Sequence, residues 1–127
     1  MLSHWLLVAL GGATGASLRY AVSLLLPMQA SAGRFPWATF TVNVLGCAAA
    51  GFVYAWLQRA PEQREVWRLL LMVGVMGGFT TFSAFGLETW HLIRQGAIGL
   101  ALLNVVASCT LGVLALALAH RLATNSH

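Results

Sequence analysis

The chain has 127 residues, of which 59% are hydrophobic and only 8% are charged, and its mean hydropathy is +0.79. Soluble domains average about 45–50% apolar and about 25% charged residues. The composition therefore excludes a soluble enzyme, a nucleic-acid-binding domain and a disordered tail, and it predicts an integral membrane protein. The net charge of +4 comes from seven arginines spread along the chain, so we expect no nucleic acid among its partners.

Four segments are long and apolar enough to cross a hydrocarbon core about 30 Å thick, which needs about 20 residues of helix. They are residues 5–26, 37–57, 69–87 and 97–119. These spans nearly fill the chain, so the sequence predicts an all-α protein with a single four-helix transmembrane domain over residues 1–127. Tryptophans stand near the predicted span ends, as in interfacial aromatic belts: Trp5, Trp37, Trp67 and Trp90.

The first span contains Arg19, the only charged residue in any of the four. It also contains one of two glycine pairs with a spacing of four residues, Gly11 and Gly15, and the third span contains the other, Gly74 and Gly78. Such pairs let helix backbones approach closely, either within one subunit or between subunits. Four helices make a thin bundle, and this small size favours an oligomer.

The arginines give only a weak preference for one orientation in the membrane. With four spans both termini share a side, and that side carries four arginines against three on the other. Positive-inside bias sets orientation, so insertion in one orientation and insertion in both remain open.

Polar side chains follow one face of the second and fourth spans. Thr39 and Asn43 are four residues apart, as are Asn104 and Ser108, so each pair lies on one helical face. Polar groups inside a membrane are functional candidates by default. They form either the lining of a narrow polar path or hydrogen bonds between helices.

The third span has the most unusual sequence. Gly77 and Gly78 stand next to a cluster of hydroxyl residues, Thr80, Thr81 and Ser83. Non-helical backbone at membrane depth is tolerated only where it is buried in protein or lines water, and broken helices offer carbonyl and amide ends to ions. The segment is the best candidate for an ion site, and a kinked but continuous helix is the alternative.

Phe82 and Phe85 lie three residues apart in the same span. Ordinary packing accounts for such a pair. Alternatively, because the ring edge of phenylalanine is electropositive, the two rings offer a weak, non-basic attraction to a small anion.

Three stretches of the chain resemble the Fluc, or CrcB-type, family of fluoride channels: GGATGASLRY (11–20), TFTVNVLG (39–46) and GGFTTFSAF (77–85). The resemblance covers essentially the whole chain. It implies an antiparallel, dual-topology homodimer of four-span subunits whose third helix is broken in mid-membrane. It also implies a fluoride-selective channel in the bacterial inner membrane that exports cytoplasmic fluoride passively and so reduces its toxicity.

The resemblance further implies which residues meet the ions. The residues implied to line the fluoride pore are Asn43, Phe82, Phe85, Thr39, Thr81, Ser83, Ser108 and Asn104. Arg19 matches the basic residue of the aqueous vestibule, and the backbone carbonyls of Gly77 and Thr80 match those that hold a structural sodium ion at the dimer centre. Asn104 stands where some members carry tyrosine, and Gly112 where some carry a hydroxyl, so the polar track of the fourth span departs from the family pattern.

Two other functions are compatible with this size. A small dual-topology multidrug or cation antiporter needs a carboxylate in mid-membrane. The only acidic residues are Glu62, Glu65 and Glu88, and none of them is predicted to lie in mid-span. A non-transporting membrane assembly subunit is the other. The chain shows no nucleophile–base pair or metal-ligand spacing that would indicate an enzyme.

Overall fold

The structure is a computed structural model that describes residues 1–26 and 34–126. Its elements are α1 (Leu2–Leu25), α2 (Trp37–Arg59), α3 (Arg64–Trp67), a π-helical segment (Arg68–Met76), α4 (Gly77–Phe79), α5 (Phe82–Arg94) and α6 (Ile98–Asn125). Within the described ranges, three helical stretches are long and apolar enough to cross a membrane: Trp37–Arg59, Arg64–Arg94 and Ile98–Asn125. These stretches confirm the prediction of an all-α membrane protein. Although α1 is 24 residues long, it is not among the three.

Helical structure extends beyond two of the predicted spans. Helix α2 continues to Arg59 and helical structure resumes at Arg64, so both helices enter residues 58–68. Helix α5 continues to Arg94, so residues 88–94, predicted as a connection, are helical. The sequence placed the span end at the charge of Glu88, but the carboxylate of Glu88 has a hydrogen-bond partner inside the fold. Most of the first predicted connection, residues 27–36, lies outside the described residues.

Both glycine pairs lie where α1 packs against the third predicted span within one chain. A Cβ atom added to Gly11 would lie 2.9 Å from the Cα atom of Gly74, and one added to Gly15 would lie 2.7 Å from the backbone nitrogen of Phe79. Only glycine permits this approach of two helix backbones. The sequence left packing within a subunit and between subunits open, and the structure assigns both pairs to the subunit.

Helix α2 packs along α6, and α5 packs against the first part of α6. Close approach again depends on glycine, because a Cβ atom on Gly51 would lie 3.0 Å from the Cβ atom of Ala119. Leu92 of α5 and Ala101 of α6 form a small buried apolar cluster. These contacts hold α5 in a fixed position beside α2, which carries Thr39 and Asn43.

Candidate functional site

The third span is interrupted at Thr80 and Thr81. Helix α4 ends at Phe79, and both threonines have extended backbone conformations, with φ/ψ of −84°/157° and −149°/118°. The hydroxyl of Thr81 then caps α5 by accepting a hydrogen bond from the backbone N–H of Ala84 at 3.2 Å. Gly77 itself is helical, with φ −61° and ψ −39°, so the interruption follows the glycine pair. Side chains replace the backbone hydrogen bonds lost there, as helix termini require.

Asn43 of α2 binds the interruption with both ends of its amide. Its Oδ1 atom accepts a hydrogen bond from the backbone N–H of Thr81 at 3.0 Å, and its Nδ2 atom donates to the carbonyl of Thr81 at 3.2 Å. This pair is therefore the hydrogen bond between helices that the sequence left as one alternative for Asn43. The side-chain amide has two N–H donors, and the second is not used in this pair.

These contacts take away the helical partners of two carbonyl groups. In a continuous α-helix the carbonyl of Gly77 accepts from the N–H of Thr81, and that of Thr80 accepts from the N–H of Ala84. Here the first N–H donates to Asn43 and the second to the hydroxyl of Thr81. Gly77 is exposed and Thr80 is half-buried. Two carbonyl oxygens at the interruption have thus lost the N–H groups that a continuous helix supplies.

A small cavity of about 20 Å³ lies beside the interruption. It is lined by Arg19, Ser23, Ala38, Thr39, Val42, Thr81 and Ala84. About 10–15 Å³ of such volume suffices for one water molecule, so the cavity admits an occupant of that size. The Nε atom of Arg19 donates to the carbonyl of Gly78 at 3.2 Å, which fixes the guanidinium between α1 and the third span. Three residues selected from the sequence, Arg19, Thr39 and Thr81, therefore meet at one space.

Thr39 also contacts a residue that the sequence placed outside the spans. Its hydroxyl donates to the Oε1 atom of Glu88 at 2.8 Å, and both side chains are buried, with 7% and 8% of their surface exposed. Glu88 lies in the later part of the Arg64–Arg94 stretch, and the absence of an acidic residue from mid-span stays a prediction.

Phe82 and Phe85 occupy the first turn of α5, and their ring centroids are 5.7 Å apart. Phe82 is 85% exposed, Phe85 is half-buried, and Ser83 between them is exposed. The Ser83 hydroxyl lies 3.4 Å from that of Thr81. The two phenylalanines are thus adjacent to the interruption, and the exposed ring of Phe82 is accessible to groups outside this chain.

Asn104 and Ser108 form a separate network between α5 and α6. Asn104 is buried, donates to the hydroxyl of Thr89 at 3.0 Å, and accepts from Ser108 at 3.1 Å. Thr89 donates in turn to the carbonyl of Phe85 at 2.7 Å. Among the described residues, no hydrogen bond joins Asn104 or Ser108 to Asn43. Their link to the interruption runs through Phe85 instead.

Comparison with known proteins gives consistent results. A family profile described as "CrcB-like protein, Camphor Resistance (CrcB)" matches residues 6–120. The fluoride-specific ion channel FluC of Paramagnetospirillum magneticum is 49% identical over 121 residues, which is 93% of each chain. The FluC protein of Methylobacillus flagellatus is 44% identical over 108 residues, 85% of this chain and 84% of that one. That of Caulobacter vibrioides is 46% identical over 112 residues, 87% of each chain.

Proposed function

Because the chain belongs to the CrcB family, whose members matched above are named fluoride-specific ion channels, we propose that it is a channel for fluoride and not an enzyme. It is a multi-pass protein of the bacterial inner membrane. The observation that carries this function is the water-sized cavity beside the interruption, where Arg19 meets the hydroxyl groups of Thr39 and Thr81. Fluoride is compact and strongly hydrated, so a path for it must replace water with hydrogen-bond donors.

The polar residues at the interruption can supply those donors. The second N–H of Asn43 and the hydroxyl of Ser83 are each able to donate, and the ring edges of Phe82 and Phe85 add weak positive potential. Conduction needs binding that is firm enough for entry and weak enough for exit. Neutral donors suit that requirement. Arg19, which is fixed on the carbonyl of Gly78, supplies the only cationic side chain lining the cavity and attracts the anion to the vestibule.

A passive channel suffices to export fluoride. Weakly acidic surroundings carry neutral HF across the bilayer, and the acid ionises in the neutral cytoplasm, where the anion is trapped. The membrane potential, negative inside, drives the anion outward at about 2.3 kcal/mol per charge for each 100 mV. Proteoliposomes that hold the purified protein test this function: fluoride should leave them rapidly and chloride should not. Equal efflux of the two anions, or none above that of empty liposomes, would contradict it.

The buried carboxylate of Glu88 favours one alternative, a proton-coupled cation antiporter. Such exchange requires a carboxylate in mid-membrane, and Glu88 is a buried carboxylate in the later part of the Arg64–Arg94 stretch. An antiporter moves a lipophilic cation when a pH gradient is imposed, and a fluoride channel does not. The same proteoliposomes separate the two functions.

The finer architecture of the proposal is an antiparallel, dual-topology homodimer of four-span subunits with the third helix broken in mid-membrane. Helix α1 is proposed to span the membrane as well, which makes four spans in all, and its close backbone contact at Gly11 and Gly15 with the third predicted span supports this. The 85% exposure of Phe82 supports a second copy that covers it.

Dual topology predicts that the C-terminus is accessible from both sides of the membrane. The arginine counts of four and three give little bias for one orientation. The protein is expressed without any homologue and carries a protease-cleavable tag at its C-terminus. Cleavage in intact cells and in inverted vesicles measures the fraction of C-termini on each side of the membrane. A tag that is cleaved from one side only would contradict the antiparallel arrangement.

The carbonyls of Gly77 and Thr80 are the proposed ligands of a structural sodium ion at the dimer centre. The two N–H groups that would bond them in a continuous helix donate to Asn43 and Thr81 instead, which supports their availability. Neutral oxygen ligands suit a hard monovalent cation better than a divalent or thiophilic one. When bound, the ion would supply positive charge that counters the cost of bringing an anion into a medium of low dielectric.

Sodium removal is therefore expected to abolish fluoride flux. The carbonyls would be left unsatisfied at membrane depth, where each such group costs several kcal/mol. Flux is measured after reconstitution in sodium-free buffer and again after sodium is restored, with potassium as the control. Unchanged flux in the sodium-free sample would contradict the site.

A further inference from the structure

Glu88 is a buried acidic residue to which the function above gives no role. Its Oε1 atom lies 2.8 Å from the hydroxyl of Thr39, whereas its Oε2 atom is buried and has no hydrogen-bond partner within residues 1–26 and 34–126. The ion pair between Glu65 and Arg68 is the only salt bridge of the described chain, so Glu88 is not paired with a cation there. An ionised carboxylate is rarely buried without a partner for its charge.

The contact with Glu88 determines what Thr39 can offer to an anion. A threonine hydroxyl has a single proton. When that proton is donated to an ionised Glu88, Thr39 presents only lone pairs to the cavity it lines, and lone pairs repel fluoride. When Glu88 is a neutral acid, its own O–H can donate to Thr39 across the same 2.8 Å, and the Thr39 proton is free to point into the cavity.

Few charged groups are placed to pair with the carboxyl group of Glu88. On α5 itself, His91 and Arg94 are exposed. Arg19 of α1 lines the cavity with Thr39 but donates to the carbonyl of Gly78. The arginine and histidine residues of α2 and α6 are near the C-terminal ends of those helices: Arg59, His120 and Arg121. The other titratable residues of the two helices are Cys47, Tyr54 and Cys109.

We infer that Glu88 is a positioning residue that holds its proton at neutral pH, donates to Thr39 and thereby turns the Thr39 hydroxyl into a donor for fluoride. The inference rests on the proposed function for the anion. The chemical form of Glu88 can nevertheless be measured without any transport. Glutamine is the matched substitution because its amide is neutral at every pH, keeps the size of the acid and has an N–H that can donate to Thr39, as the neutral acid would.

Infrared spectroscopy of the full-length protein in lipid tests the chemical form. The wild type at neutral pH should show the carbonyl band of a protonated carboxyl, shifted in heavy water, and Glu88→Gln should lack it, whereas the exposed Glu62→Gln control should retain it. Its absence from the wild type would overturn the inference. Because no fluoride is present, the infrared result does not depend on whether the protein conducts fluoride.

Fluoride current across planar bilayers tests the positioning role, since neutral HF carries no current. The fluoride current of Glu88→Gln should be within about threefold of that of the wild type. The currents of Glu88→Ala and Thr39→Val should each be lower by about tenfold or more, as expected when one hydrogen bond from a hydroxyl to the charged fluoride ion is lost. As the pH is raised, the wild type should lose current where Glu88 ionises, Glu88→Gln should not, and His91→Gln should follow the wild type. A correctly assembled Glu88→Gln dimer as defective as Glu88→Ala would overturn the inference, and a wild type without fluoride current would overturn the proposed function instead.

Discussion

Asn43→Asp should reduce fluoride flux by at least about 100-fold, equivalent to about 2.7 kcal/mol. The substitution keeps the oxygen that accepts from the N–H of Thr81 and removes the nitrogen that donates to the Thr81 carbonyl. An unsatisfied buried acceptor costs about 1–3 kcal/mol. In addition, an ionised aspartate in place of Asn43 would put a negative charge beside the path of an anion. Both effects act at the interruption, so flux should fall more than assembly.

Fluoride efflux from liposomes that hold matched amounts of dimer, verified by size-exclusion chromatography, measures this effect. Asn125→Asp is the control because Asn125 is an exposed residue at the end of α6, and it should leave flux unchanged. Near-normal flux in an assembled Asn43→Asp protein would show that the contact between α2 and Thr81 only holds the fold together.

Phe82→Ile and Phe85→Ile should each reduce fluoride flux by about tenfold or more. Isoleucine keeps a bulky apolar group and removes the electropositive ring edge, which is worth about 0.5–1.5 kcal/mol in aromatic contacts beyond buried area. Methionine is the milder substitution because its flexible, polarisable thioether can partly replace the ring. Phe52→Ile, at an exposed position of α2, is the control and should conduct normally.

Packing alone predicts another pattern. Ile and Met would then be tolerated in transport, and any loss would follow reduced dimer assembly. Full flux in both isoleucine variants would leave Asn43 and the hydroxyl residues as the only supported pore chemistry.

An all-α membrane protein was predictable because hydropathy and the length of apolar segments are local properties of the chain. The four-residue spacing of Gly11 with Gly15 and of Gly74 with Gly78 indicated close packing, but sequence alone could not say which backbones met. The sequence indicated a break in residues 69–87, but the position of the extended residues Thr80 and Thr81 depends on Asn43, which is 38 residues from Thr81. A pairing over that distance cannot be read from helical periodicity.

Glu88 was missed for a related reason. A charged residue after an apolar run reads as the end of a span, and only the fold brings Thr39, 49 residues away, within hydrogen-bond distance of it. Asn104, unlike Glu88, was selected from the sequence, as a polar residue at membrane depth. Its partners are Thr89 and Ser108, and its proposed role in the fluoride path awaits a flux measurement.

Fluoride selectivity is tested most directly by the reversal potential of the wild-type protein in a planar bilayer with opposed fluoride and chloride gradients. The potential should follow the fluoride gradient, stay there when the chloride gradient is changed, and require no pH gradient. A reversal potential that follows chloride, or a bilayer without fluoride current despite verified insertion, would contradict a fluoride channel.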